Sequence, residues 1–282
     1  MRLGIIGAGQ IGAMLATAWI SADWTTPLVI STRTRAKATA LARKFPGRLQ
    51  IMDSQDELVG ACDAIFLCTK ASDAHSIIEQ IAPSLRANQW LAVTNSTTSL
   101  AWMEQTAPCR MAKIIPSMTQ YARAGIVLVM PGERLKLDGL DEFYDLIAHI
   151  GTPHMIHEQE VRIYSDLTSC GPAFLADWLE SMVRAAGERG VPEMTARFLV
   201  GEMVYGVGQL IVREHFTLSE IIDRISVPGG VTNAGLHVLR DARRDLFHRV
   251  FAATAAHAQS HAGETAKPDG HETAKPDGHE TG

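Results

Sequence analysis

Leu3-Gly4-Ile5-Ile6-Gly7-Ala8-Gly9-Gln10-Ile11-Gly12 is the stretch from which the fold is read. A short apolar run passes directly into Gly-x-Gly-x-x-Gly, and Ala13, Met14, Ala16, Trp19 and Ile20 follow at helical spacing. The pattern is therefore strand, tight turn, helix. Its first glycine permits the turn, the second lets the backbone approach a pyrophosphate, and the third lets the helix lie close on the strand. The amides at the helix start then meet the phosphates. Gly7, Ala8, Gly9, Gln10, Ile11 and Gly12 are accordingly expected to bind a dinucleotide; the plainer alternative is a structural glycine turn.

Working outward, further apolar runs lie at 27–30, 64–67, 90–93, 112–115 and 126–129, with helical stretches among them. Continuous apolar runs suit strands buried on both faces, and intervening helices suit parallel crossovers. Residues 1–157 are thus expected to form an α/β unit, a Rossmann domain with a doubly wound sheet. At the end of the second run stand Ser31, Thr32, Arg33, Thr34 and Arg35, with Lys37 beyond and no carboxylate before Asp53. An acidic residue there would hold the ribose hydroxyls of NAD, whereas guanidinium and hydroxyl groups suit a 2′-phosphate, so NADP(H) is the expected cofactor. Solvated surface arginines are the alternative.

Beyond residue 160 the strand signal stops and an all-helical domain is expected over 158–258. Phe198–Val212 carries Leu199, Val200, Met203, Val204, Val207, Leu210 and Ile211 around most of its circumference. A helix apolar on nearly every side needs cover on nearly every side, which points to a homodimer formed through this domain. Thr217-Leu218-Ser219-Glu220 has the form of a capping box opening a short helix through Ile225. Ser226–Val231 should be a loop before a last long helix. Residues 259–282, with Glu-Thr-Ala-Lys-Pro-Asp-Gly-His at 264–271 and again at 272–279, lack any large apolar side chain and are expected to be a disordered tail. His257, His261, His271 and His279 are read as solvated, and no metal is expected.

Composition excludes several classes. The chain has 282 residues, 46% of them hydrophobic and 20% charged, a globular composition with room for two domains. No run approaches the ~18 apolar residues of a membrane span. A net charge of −5 offers no basic face for nucleic acid. The four cysteines form no Cys-x-x-Cys pair and sit among apolar neighbours, so neither disulfides nor a zinc site are expected. No secretory leader is apparent at Met1-Arg2, making a cytoplasmic address the default.

In the helical half, Val227-Pro228-Gly229-Gly230-Val231-Thr232 combines two glycines, whose amides can turn inward, with a helix start and a hydroxyl. Such a loop could hold a small carboxylate, with Thr232 capping the helix; a plain loop and cap is the competing reading. Together with Gly7–Gly12, Phe66-Leu67-Cys68-Thr69-Lys70, Ile114-Ile115-Pro116 and Gly171-Pro172-Ala173-Phe174, the loop resembles the pyrroline-5-carboxylate reductase family up to about Ala258. The resemblance implies reduction of a cyclic imine acid with NAD(P)H, a helical dimer interface, a substrate carboxylate bound by the backbone of Gly229, Gly230 and Val231, and a hydrogen bond from Thr232 to the ring nitrogen. Ser54, Cys68, Thr69, Lys70 and Asn95 complete the expected cofactor-binding set.

The departures are specific. Val227 stands where the family has serine, Ile115-Pro116-Ser117-Met118-Thr119 replaces Met-Pro-Asn-Thr-Pro, Thr168-Ser169-Cys170 replaces Ser-Gly-Ser, and Ala71 replaces a proline. In this thinning of polar groups the chain is similar to the divergent late competence (ComER) branch. Two readings follow: an NADP-dependent reductase of a small imine acid, or a reductase-fold protein that binds NADP(H) with weakened chemistry and acts in regulation. A β-hydroxyacid dehydrogenase is disfavoured, because those enzymes use a lysine in the helical domain and residues 160–260 contain none.

Overall fold

The computed structural model describes residues 1–265, with side chains through Ser260. Eight strands form one sheet in the order β3-β2-β1-β4-β5-β6-β7-β8: β1 (Leu3–Ile6), β2 (Leu28–Ser31), β3 (Leu49–Ile51), β4 (Ala64–Leu67), β5 (Trp90–Val93), β6 (Arg110–Ile115), β7 (Ile126–Pro131) and β8 (Thr152–Met155). The strands from β1 to β6 pair in parallel. Between them run α1 (Gln10–Ser21), α2 (Arg35–Lys44), α3 (Gln55–Ala61), α4 (Ala71–Ile81) and α5 (Leu100–Thr106). β7 turns back antiparallel to β6, because only a short 3₁₀ turn at Met118–Ala122 joins them and no crossover helix carries the chain across the sheet. After α6 (Glu133–Leu137) and α7 (Leu140–Ala148), β8 closes the edge.

Alternation along each strand feeds two cores. Leu3, Ile5 and Phe66 face α1, α2 and α7 on one side, while Ile6, Ile65 and Leu67 face α3, α4 and α5 on the other. Trp19 of α1 lies 4.5 Å from the Phe66 ring, and its indole N–H donates to the Leu146 carbonyl of α7, so the first helix is fastened to both sheet and neighbour. β3 and β8 escaped the sequence pattern. β3 has only three residues, one of them Gln50, and β8 is Thr-Pro-His-Met; both are edge strands, where polar residues and proline are tolerated.

The helical half contains α8 (Val161–Ser165), a π-turn at Asp166–Cys170, α9 (Gly171–Gly187), α10 (Glu193–Val212), α11 (Leu218–Ile225), α12 (Val231–Ala242) and α13 (Leu246–Thr265). α11 opens with the expected capping box, Thr217 accepting from the Glu220 amide and Glu220 from the Thr217 amide. Instead of one last long helix there are two, because Asp245 takes a left-handed φ of 58° that an α-helix does not accommodate. α13 continues to Thr265, past residue 258 and into the first two residues of the repeat, and the remainder of the repeat, with His271 and His279, lies outside the described residues. On α10 only Ala196 is buried, and Phe198, Leu199, Met203, Tyr205 and Val212 are exposed in the single chain.

Candidate functional site

The strand order reverses between β1 and β4, and a cleft of about 490 Å³ opens at their carboxyl ends. In open α/β sheets this switch point is where ligands bind. Gly7 forms the floor in a left-handed conformation (φ 105°), its amide donating to Ser31 O at 2.8 Å. A side chain at Gly7 would meet the Cys68 carbonyl at 2.6 Å. At Gly12 a Cβ would come 1.9 Å from Gly7 O, so this glycine sets how closely α1 approaches the turn. Gly9, at the N-cap of α1, has nothing within 4 Å of its Cβ position. The three glycines thus divide as turn, open cradle and packing contact.

Of the expected residues, Gly7, Ala8, Gly9, Ser31, Thr32, Arg33, Thr34, Cys68, Thr69 and Lys70 line this one cleft. Gln10 and Ile11 lie exposed on the first turn of α1 outside it. Ser54 instead caps α3, accepting from the amides of Asp56 and Glu57 at 3.1 and 3.4 Å. Asn95 is also held elsewhere, its Oδ1 taking bonds from the amides and hydroxyls of both Thr97 and Thr98. Lys37, noted in the basic stretch after the second strand, lines the cleft as well, whereas sequence reasoning missed Gln55 and the α4 face of Asp73, Ser76, Ile77 and Gln80. That face follows the i, i+3, i+4, i+7 spacing of one side of a helix.

Two buried polar atoms in the cleft, Thr69 Oγ1 and Gln55 Oε1, have no protein partner. Buried polar atoms are normally satisfied, and a ligand's polar groups can satisfy these two. Arg33 and Lys37 bring positive charge to the mouth. Burial pushes the Cys68 thiol up to about 12, despite the opposing hydrogen bond with Thr94, so it stands in the cleft as a neutral thiol. The open Gly9, the amides at the start of α1 and the two orphaned atoms fit a dinucleotide.

Polar links through Glu158 and Ser169 join the sheet to the helical half. Lys113, almost wholly buried on β6, donates to Ser96 O at 2.8 Å and Glu158 Oε1 at 2.6 Å. Ser169 in the π-turn donates to Pro116 O at 3.3 Å, bringing that turn to the carboxyl end of β6. Behind it, the buried Asp166 accepts from Arg162 at 2.6 Å and from Thr254 of α13 at 2.7 Å. Burial opposes the Arg162 charge, but the hydrogen bond and charge of Asp166, together with those of Cys170, outweigh it and hold the guanidinium above its ordinary value.

The glycine loop has the tight form its sequence requires. Gly229 is left-handed (φ 76°), Gly230 N donates to Val227 O at 3.0 Å, and a Cβ on Gly230 would strike the Val227 side chain at 2.9 Å. That turn leaves Gly230 extended as the N-cap of α12, so Thr232, expected to cap this helix, instead sits in its first turn with its side chain exposed. None of residues 226–232 lines the cofactor cleft of the same chain.

A glycine turn at the switch point, an open Gly9 at the start of α1 and a helical domain joined to the sheet define a dinucleotide-binding protein. The model for pyrroline-5-carboxylate reductase dimerisation matches residues 158–261, and that for coenzyme F420-dependent NADP oxidoreductase matches residues 2–95. ComE operon protein 4 of Bacillus subtilis is 32% identical over 257 residues, covering 90% of this chain and 94% of that protein. Pyrroline-5-carboxylate reductase 3 of the same organism is 24% identical over 258 residues, covering 90% and 94%. Among solved structures, a Plasmodium falciparum pyrroline carboxylate reductase with NADP bound superposes with a TM-score of 0.78 at 21% identity, covering 95% of this chain and 98% of that one. A Coxiella burnetii pyrroline-5-carboxylate reductase gives 0.79 at 17% identity, covering 94% and 98%. The chain belongs to the pyrroline-5-carboxylate reductase family, on its late competence (ComER) side.

Proposed function

We propose that this protein is an NADP(H)-dependent reductase of a small carboxylate-bearing cyclic imine, pyrroline-5-carboxylate or a relative, working as a homodimer. The observation that carries the reading is the switch-point cleft, with its open Gly9, its orphaned Thr69 and Gln55 oxygens, and Arg33 and Lys37 at the mouth. Gly7–Gly12 and the first turn of α1 would hold the pyrophosphate, and Ser31–Thr34 the 2′-phosphate. When bound, the nicotinamide supplies the hydride; the protein's task is to orient the imine and exclude water. The amides of Gly229, Gly230 and Val231 at the start of α12 bind the substrate carboxylate, and the Thr232 hydroxyl hydrogen-bonds the ring nitrogen. Because this loop lies away from its own chain's cleft, the site is completed in the dimer, whose interface is the exposed apolar face of α10. The domains divide at 157/158, and nothing in the reading requires nucleic acid, membrane or metal.

A second reading is favoured by the 32% identity to ComE operon protein 4 and by Val227 in place of serine: a protein that binds NADP(H) but turns over poorly and acts in regulation. A missing hydrogen-bond partner for a buried polar substrate costs ~1–3 kcal/mol, roughly ten- to a hundredfold in rate. Following NADPH absorbance with pyrroline-5-carboxylate decides between them. Substrate-dependent decay supports the reductase, and a flat trace with saturable NADPH binding supports the second reading.

A further inference from the structure

At the mouth of the cleft, Arg33 Nη2 lies 2.7 Å from Asp73 Oδ2. Arg33 comes from the loop after β2 and is largely exposed; Asp73 belongs to the first turn of α4, across the cleft, and is mostly covered. The ion pair therefore bridges two walls of the cleft, and both residues line it. Asp73 is itself well placed: its other oxygen accepts from Ser72 Oγ at 3.1 Å, and a carboxylate in the first turn of a helix is favoured by the helix dipole. Nothing in its own surroundings drives it to release the guanidinium.

We propose that Asp73 is a cofactor-selectivity residue: it occupies Arg33 as a carboxylate counterpart of the 2′-phosphate and so weakens this protein's preference for NADPH over NADH. The inference rests on the assignment of Arg33 to the 2′-phosphate. A phosphate arriving at Arg33 must take the guanidinium from Asp73 or share it. Sharing sets a dianion about one guanidinium width from a carboxylate, a repulsion that solvent reduces without abolishing. NADH, which has no such phosphate, leaves the pair intact. Asp73 thus selects against the phosphorylated cofactor at the residue that would recognise it, a repulsive element of the kind that specificity often uses.

The test is fluorescence titration of the purified full chain with NADPH and with NADH, for the wild type, D73N, R33A and the double variant. D73N keeps the size and the contact with Ser72 and removes the charge. It should tighten NADPH by roughly three- to tenfold while moving NADH less than twofold, and the gain should shrink in the R33A background. The D73N gain should also decline as salt is raised from 50 to 500 mM. If R33A lowers NADPH affinity but D73N leaves it unchanged or weaker, the proposal is overturned and the Arg33 assignment stands. If R33A leaves NADPH affinity at the wild-type value, the assignment itself fails, and the proposal with it.

Discussion

Replacing Gly9 and Gly12 separately by alanine should break two different things, though they lie three residues apart in one motif. At Gly12 the new methyl would be 1.9 Å from the Gly7 carbonyl oxygen and 3.2 Å from Ile5 Cγ2. Real Cβ contacts essentially never fall under 3.0 Å, so α1 must retreat by at least 1.1 Å, the difference between the two distances, from a backbone atom with no rotamer to change. Overpacking of this kind costs about 3 kcal/mol, offset by up to about 1 kcal/mol from the better helix propensity of alanine. The net loss of about 2 kcal/mol lowers the melting temperature by roughly 4–8 °C. Gly9 has an ordinary φ of −74° and nothing within 4 Å of the added atom, so its alanine variant should melt within about 2 °C of the wild type. There the methyl stands where the pyrophosphate must approach, and NADPH affinity should fall at least tenfold. Circular dichroism melts and NADPH fluorescence titration read the two effects separately. A Gly9→Ala protein with wild-type affinity, or a Gly12→Ala protein with a wild-type melt, would refute the division of roles.

Burial holds the thiols of Cys62, Cys68 and Cys109 up at about 11, 12 and 12, against an ordinary value of 9.0. Above pH 9 the unfolded chain releases these protons while the folded chain keeps them, so stability is full below that pH and lost as the pH rises towards 12. Cys68→Ala should therefore lose less of its urea midpoint between pH 9 and 11 than the wild type, and an equal loss would contradict the burial argument. In the native protein at pH 8, iodoacetamide should modify Cys170 alone, as read by peptide mass spectrometry. Glu158→Gln leaves Lys113 buried without its counter-charge and should cost about 1–3 kcal/mol, less than for a fully buried pair because Glu158 is 35% exposed; an unchanged urea midpoint would refute it. Thr232→Ala should lower turnover with pyrroline-5-carboxylate at least tenfold while the NADPH dissociation constant stays put, and equal rates would remove Thr232 from the site.

The first strand, turn and helix were legible because each glycine has a distinct steric duty and the apolar residues keep one period. Strands β1, β4 and β5 are covered on both faces and so write themselves as continuous apolar runs. β3 and β8 need only backbone partners at an edge, and their side chains carry little record of that. The reversal at β7 lies in the length of a connection, and the break before α13 in the backbone of Asp245, neither of which periodicity reports. In the site, residues leading out of β1, β2 and β4 were found, because strand ends are marked by composition. Gln55 and the α4 face were not, because polar residues on a half-exposed helix resemble any solvated surface. The role of Lys113 was the least legible of all: the run 112–115 read as a strand, but nothing in it marks a buried, paired charge until its partner, 45 residues away, is seen.

The bare apolar flank of α10 would, in the proposed homodimer, tie the protein's endurance to its abundance. In the proposed pair, folding and assembly share one equilibrium, so each tenfold dilution removes about 1.4 kcal/mol of the pair's stability. A cell making little of this chain would hold it in a softer, more protease-sensitive form than one making much, without any change in sequence or cofactor supply.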